Sequence, residues 1–261
     1  MDFATMMALE PVGAGAWQGT GPRYAWGGLY GGQIVAQALW AATATVDPAF
    51  GVHSLHAYFI RAGDHAEPVR FEVTRVRDGR SLCTRRVAAR QAPGVLLEMT
   101  ASYQVHEEAV EAQVAVMPPV GPPGRYPSDG WSPMFDRRPA VRGPGESSAW
   151  MRLSDPLGGD PVLSVAGLAY LSDDLPTEAV ASLYPGFEPE RPLEHQLFAA
   201  SLDHSIHLHR PAAPDRWHLH SFTCDGVRSA RGVGVGRVFA EDGAHVATIV
   251  QEVLLRPVRG G

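Results

Sequence analysis

The chain has 261 residues, 45 % hydrophobic and 19 % charged, enough for one large domain or two small ones around a buried core. Its net charge of −6 excludes a general nucleic-acid binder and a basic membrane-surface protein. Lysine is absent, and the two cysteines, Cys83 and Cys224, are too few for a disulfide framework and lack metal-ligand spacing.

The opening residues MDFATMMALEPVGAG carry neither the basic start nor the apolar run of a signal peptide, and no apolar run approaches the ~20 residues of a membrane span. A cytoplasmic location with no membrane partner is therefore expected. GGQIVAQALWAATATV, residues 31–46, sets Ile34, Val35, Ala38, Leu39 and Ala42 at helical spacing behind two glycines. Strands are expected over 53–61, 68–77, 81–91 and 95–105, with the clearest alternation in Val69-Phe71-Val73 and Val95-Leu97-Met99-Ala101-Tyr103. Residues 107–147 are rich in proline and glycine (MPPVGPPGRYP, RRPAVRGPGE) and read as a linker over the surface. A second helix is expected over 160–174, with Asp160 as its N-cap and Pro161 in the first turn. Strands follow over 200–210, 216–224, 229–240 and 244–256.

The chain thus reads as two copies of one unit, a helix followed by antiparallel strands. Ser54-Leu55 and Ser201-Leu202 lie 201 − 54 = 147 residues apart, and Gln104 and Gln251 share that offset, 251 − 104 = 147. The expected organisation is an N-terminal repeat over 1–106, a linker over 107–147 and a C-terminal repeat over 148–261. A helix buried in a curled antiparallel sheet is an α+β arrangement, and the hotdog fold is the candidate. Two copies joined edge to edge make a double hotdog with one continuous sheet and two fewer free edges. The edges and faces that remain predict a homo-oligomer.

ASLDHSIHLHR, residues 200–210, and WHLHS, residues 217–221, concentrate the histidines. Alternation puts Asp203, Ser205, His207 and His209 on one strand face and His204 on the other. A hairpin through PAAPD would gather His207, His209, His218 and His220, a ligand set suited to a transition metal, so a metal-dependent β-barrel enzyme is one alternative. No HExxH or cupin-like carboxylate supports it. The absence of GxSxG argues against a serine hydrolase.

YGGQIVAQAL, VHSLHAYFIRAGD, RDGRSLCTRRVAA and MTASYQ resemble the N-terminal half of the acyl-CoA thioesterase II family. LDHSIHLHRP, SARG and TIVQE resemble its C-terminal half, so the likeness spans nearly the whole chain outside the linker. It implies a double hotdog that hydrolyses fatty acyl-CoA to free acid and CoA by direct attack of water, with no metal, no cofactor and no covalent acyl-enzyme. The family's catalytic Asp, late in the second helix, falls on Asp173, and its Gln near the end of the last strand falls on Gln251. Its Thr falls on Ser201, which keeps the hydroxyl and loses a methyl. Asp173 would orient and deprotonate the water, while Ser201 and Gln251 fix the geometry. The backbone amides of Gly32 and Gln33, at a helix N-terminus, would meet the oxyanion. Arg61, Arg85, Arg86, Arg228 and Arg231 are the candidates for the CoA phosphates. A hotdog hydratase acting on enoyl-CoA is a second alternative, with His53 and His56 available but no carboxylate in the first helix. A third is a non-catalytic acyl-CoA binder. Since Ser54 and Gln104 repeat the Ser/Gln pair opposite a Thr45 in place of Asp173, one working site and one vestigial site are expected.

Overall fold

The computed structural model describes residues 1–258 and gathers its strands into a 14-stranded antiparallel sheet. The first half comprises α1 (Phe3–Met7), β1 (Glu10–Gly13), β2 (Ala16–Gly19), α2 (Gly31–Thr43), β3 (Phe50–Phe59), β4 (Val69–Asp78), β5 (Leu82–Gln91) and β6 (Gly94–Val105). The second comprises β7 (Phe135–Gly143), β8 (Glu146–Leu153), α3 (Pro161–Ser172), α4 (Leu175–Ala181), β9 (Leu197–Ser201), β10 (Asp203–Leu208), β11 (His218–Thr223), β12 (Val227–Arg228), β13 (Arg231–Ala240) and β14 (His245–Pro257). The strand order β1-β2-β4-β5-β6-β3-β10-β14-β13-β11-β8-β7 has the same plan read from either end. β3 and β10 pair at its centre, with Ala57 opposite His204. The sheet curls around α2 and α3, which pack on each other and are apolar on nearly every side, as a fully buried helix requires. This is the double hotdog expected from the sequence.

Each copy contains a hairpin that the sequence did not reveal, β1–β2 before α2 and β7–β8 before α3. The stretch 107–147, expected to be linker throughout, therefore holds β7 and the start of β8, so the second sheet begins at Phe135 rather than at 148. Pro139 stands at a register shift on the edge strand β7, where its missing N–H does least harm. The strand-free part of the linker crosses the outer face of the second sheet and covers Trp150, Leu219 and Phe239 with Met117 and Val120. Residues 259–261 of the expected C-terminal repeat lie outside the described residues. The expected strand over 200–210 is broken at Leu202 into β9 and β10.

The 147-residue offset is also corrected by the sheet. Arg85 pairs with Ala101, and the corresponding pair in the second copy is Gly234 with Gln251, offsets of 149 and 150. The pair Val52–Tyr103 recurs as Ser201–Val253, and the bond from Val105 N to Ser81 O recurs as Leu255 N to Ala230 O, with the same two offsets. The counterpart of Gln251 is then Ala101, and that of Ser201 is Val52. Gln104 is one residue out of phase: it faces outward next to the buried Tyr103. The vestigial Ser54/Gln104 site does not exist.

α4 has no counterpart in the first copy. Gly232 and Gly234 in β13 make room for it, since a Cβ on either would press against Val180 or Pro176. Among the described residues no helix is long and apolar enough to cross a membrane.

Candidate active site

α3 starts where Asp160 accepts from the Val162 and Leu163 amides, at 2.8 and 3.1 Å, with Pro161 in the first turn. Twelve residues of helix then carry Asp173 to the C-cap, beside the N-terminus of α2. Two consecutive acidic residues part company there. Asp174 accepts from Arg137 Nη1 at 2.8 Å and Trp131 Nε1 at 2.7 Å, and Arg137 also binds Asp129 and Glu178. Asp173 turns inward and is 5 % exposed.

Two groups bind its carboxylate and a third holds one of them. The Gly32 amide donates to Oδ2 at 2.9 Å, and the Ser201 hydroxyl donates to Oδ1 at 2.9 Å. Gln251 Nε2 donates to Ser201 Oγ at 2.9 Å and lies 3.5 Å from the Asp173 carbonyl. The N-terminal amides of α2 bring partial positive charge to a carboxylate that is otherwise out of water. Close approach explains the two glycines: a Cβ at Gly31 would lie 2.6 Å from Asp173 Oδ2, and one at Gly32 would collide with the Tyr170 carbonyl. Ser201 is in reach because the chain breaks at Leu202, after which β10 resumes in a new register.

Burial pushes the Asp173 carboxyl up to about 7, against the opposing hydrogen bonds from Ser201 and Gly32. A carboxylate in that range is a competent proton acceptor at neutral pH. The Gly32 amide, expected to face an oxyanion, is committed to Asp173 instead, which leaves the Gln33 amide of the pair named from the sequence.

His204, which alternation sets on the face opposite Asp203, His207 and His209, is fully buried. Its Nδ1 meets Gln251 Oε1 at 2.5 Å and its Nε2 meets Ser172 Oγ at 2.8 Å, while burial lowers its pKa to about 4 and keeps it neutral. The signal for this was present: within 203–208 it shares the face of Ile206, which is also buried. Asp203 serves the seam between the copies, accepting from the Glu252 amide at 2.6 Å and meeting His56 Nε2 at 3.2 Å. That pairing leaves His56 half-exposed on the outer face, away from the helices, so no hydratase dyad forms at α2.

The alternative metal quartet is taken apart by the topology. β14 and β13 lie between β10 and β11, so His207 and His209 are three strand spacings, about 14 Å, from His218 and His220. Among the described residues no group of three or more His, Cys, Asp or Glu side chains could hold a metal ion.

The arginines divide. Arg85 is 2 % exposed, and its guanidinium binds the Thr45 hydroxyl and carbonyl, the Arg77 and Thr84 carbonyls and Asp78, closing the C-terminal end of α2. It is unavailable to a phosphate, contrary to expectation. Arg61, Arg86, Arg228 and Arg231 are exposed, with Arg231 paired to Glu252 at 3.2 Å.

The family profile of the acyl-CoA thioesterase N-terminal domain matches residues 20–104, and that of the acyl-CoA thioesterase C-terminal domain matches residues 104–255. Acyl-CoA thioesterase 2 of Haemophilus influenzae is 31 % identical, with 87 % of each chain covered. A crystal structure of an acyl-CoA thioesterase II from Mycobacterium marinum has a TM-score of 0.86 at 32 % identity, covering 99 % of this chain and 98 % of its own. A protein of hotdog fold from Alicyclobacillus acidocaldarius, 22 % identical with a TM-score of 0.81 and 97 % of each chain covered, shares the fold.

Proposed function

Because the chain belongs to the acyl-CoA thioesterase family, we propose that it hydrolyses fatty acyl-CoA to a free fatty acid and CoA by direct attack of water organised by Asp173, Ser201 and Gln251. The observation that carries this reading is the convergence of a buried carboxylate, a hydroxyl and an amide beside a helix N-terminus. Water between the carboxylate and the thioester carbonyl gives its proton to Asp173 as its oxygen bonds to the carbonyl carbon. The Gln33 amide receives the oxyanion. Collapse breaks the C–S bond, and the departing thiolate takes the proton from Asp173, so one water is consumed and acid and thiol leave. Ser201 and Gln251 hold the carboxylate and water in line. Arg61, Arg86 and Arg228 are exposed and can meet the CoA phosphates, and Arg231 can do so by exchanging its partly exposed partner Glu252.

Thiol release from a panel of acyl-CoAs tests this directly. Asp173→Asn should lower kcat by about 10²-fold or more. Hydrolysis undiminished in the variant would remove the site, and no hydrolysis at any chain length would remove the function. The proposal extends to a cytoplasmic homo-oligomer, for which the free edges at β1 and β7 give support.

A further inference from the structure

We propose that His204 is a positioning residue that sets which way the Gln251 amide points, and through it the direction in which the Ser201 hydroxyl donates. The inference rests on the reading of Asp173, Ser201 and Gln251 as the water-holding trio.

The two ends of a glutamine amide have nearly the same shape, so its orientation is decided by its partners. Gln251 is fully buried, with His204 Nδ1 at Oε1 and Ser201 Oγ at Nε2. A neutral imidazole donates through one nitrogen and accepts through the other. When Nδ1 carries the proton, Gln251 Oε1 must face it, and Nε2 accepts from the Ser172 hydroxyl. The Gln251 NH₂ then faces Ser201, whose own proton is left to point at Asp173 Oδ1. Every bond in the row Ser172–His204–Gln251–Ser201–Asp173 runs one way, toward the carboxylate. With the other tautomer the row reverses: the Ser172 proton turns to the Ala169 carbonyl, 3.1 Å away, and Gln251 presents its oxygen to Ser201. The ionised Asp173 then loses a donor.

The internal repeat supplies an independent observation. The same sheet positions in the first copy are held by Leu55 and Ala101, which pair across β3 and β6 and are buried. The position is therefore compatible with an apolar pair. The second copy replaces that pair with a buried histidine and glutamine, a cost that only full hydrogen bonding offsets, and it does so in the copy that carries Asp173.

Three variants test the proposal by steady-state hydrolysis of a saturated acyl-CoA: His204→Leu, the first copy's residue; His204→Asn, which keeps a donor near Nδ1; and the double variant His204→Leu/Gln251→Ala. His204→Leu should lower kcat by about 30-fold or more, since a misplacement of about 1 Å can cost 10²-fold, and leave KM within about twofold. Its acid limb should move to higher pH, because Asp173 no longer receives the Ser201 proton reliably. His204→Asn should recover most of kcat, and the double variant should match Gln251→Ala alone. An unchanged kcat and pH profile in His204→Leu, no recovery with Asn, or a further tenfold loss in the double variant would overturn it. If His204→Leu alone does not fold, the double variant, built on the first copy's own Leu/Ala pair, decides by the same comparison with Gln251→Ala. Full activity in Asp173→Asn and Gln251→Ala would instead bring down the trio reading beneath it.

Discussion

Replacing Asp173 with Asn should stabilise the protein at alkaline pH and not at acid pH. In the folded protein burial raises the carboxyl from 3.8 to about 7. A raised carboxyl pKa favours the native state fully below the unfolded value, and that advantage is lost as pH rises through the folded value. Above about pH 7 the native state holds a buried charge that the unfolded chain leaves in water. At about 1.4 kcal/mol for each tenfold change in proton affinity, the interval from 3.8 to about 7 corresponds to roughly 4 kcal/mol. Asn retains an acceptor for the Gly32 amide but none for the Ser201 proton, a loss of about 1 kcal/mol. The net gain is about 3 kcal/mol at pH 8, or roughly 5–10 °C in Tm for a chain of this size. Thermal unfolding of both proteins at pH 4, 5, 6, 7 and 8 isolates the effect, because the other groups titrate alike and cancel in the difference. The variant's advantage should grow from near zero at pH 4 to a plateau above pH 7. A difference independent of pH, or one that grows toward acid, would refute the claim that Asp173 is held at a raised pKa.

Two further outcomes follow from the register and the backbone. Gln251→Ala should lower kcat by about 10²-fold, while Gln104→Ala, on the outer face, should change it less than about twofold; steady-state thiol release reads both, and equal losses would contradict the repeat alignment. Ser229 and Ala230 both have positive φ, 53° and 63°, in the two-residue turn between β12 and β13, where Asn-Gly is favoured. Replacing them with Asn-Gly should add about 1–2 kcal/mol in urea unfolding, and a loss of stability would show that the turn carries no strain.

The parts legible in the sequence were those whose periodicity follows directly from burial. α2 and α3 stand out by spacing and capping, and β4 and β6 by alternation. β1 is short, fully exposed and contains Pro11, so it carries no alternation to read. β7 was hidden by Pro139 and its arginines, residues an edge strand tolerates. Asp173 and Asp174 are equivalent as letters in SDDLP; the fold separates them by giving Asp174 a guanidinium and an indole and Asp173 a helix N-terminus. The false 147 offset arose from matching identical letters. Strand register follows which residues face inward, and on that criterion Gln251 matches Ala101.

That alignment changes what the duplication means for function. With Val52, Leu55 and Ala101 at the positions of Ser201, His204 and Gln251, the first copy carries none of the second copy's polar groups on these strands, so it is not a damaged version of the same site. It contributes something different. The amide that holds Asp173 Oδ2 comes from Gly32, at the start of the first copy's helix, while the carboxylate, hydroxyl and glutamine come from the second. The copies also share the seam at β3 and β10, and Ser201, at the end of β9 two residues before that seam begins at Asp203, reaches Asp173. A C-terminal half on its own would retain Asp173, Ser201 and Gln251 and still lack the helix N-terminus that partly compensates the buried charge. The site is therefore a property of the junction. The first copy takes part in it without polar groups of its own on these strands, provided that Gly31 and Gly32 stay small enough for the carboxylate to approach.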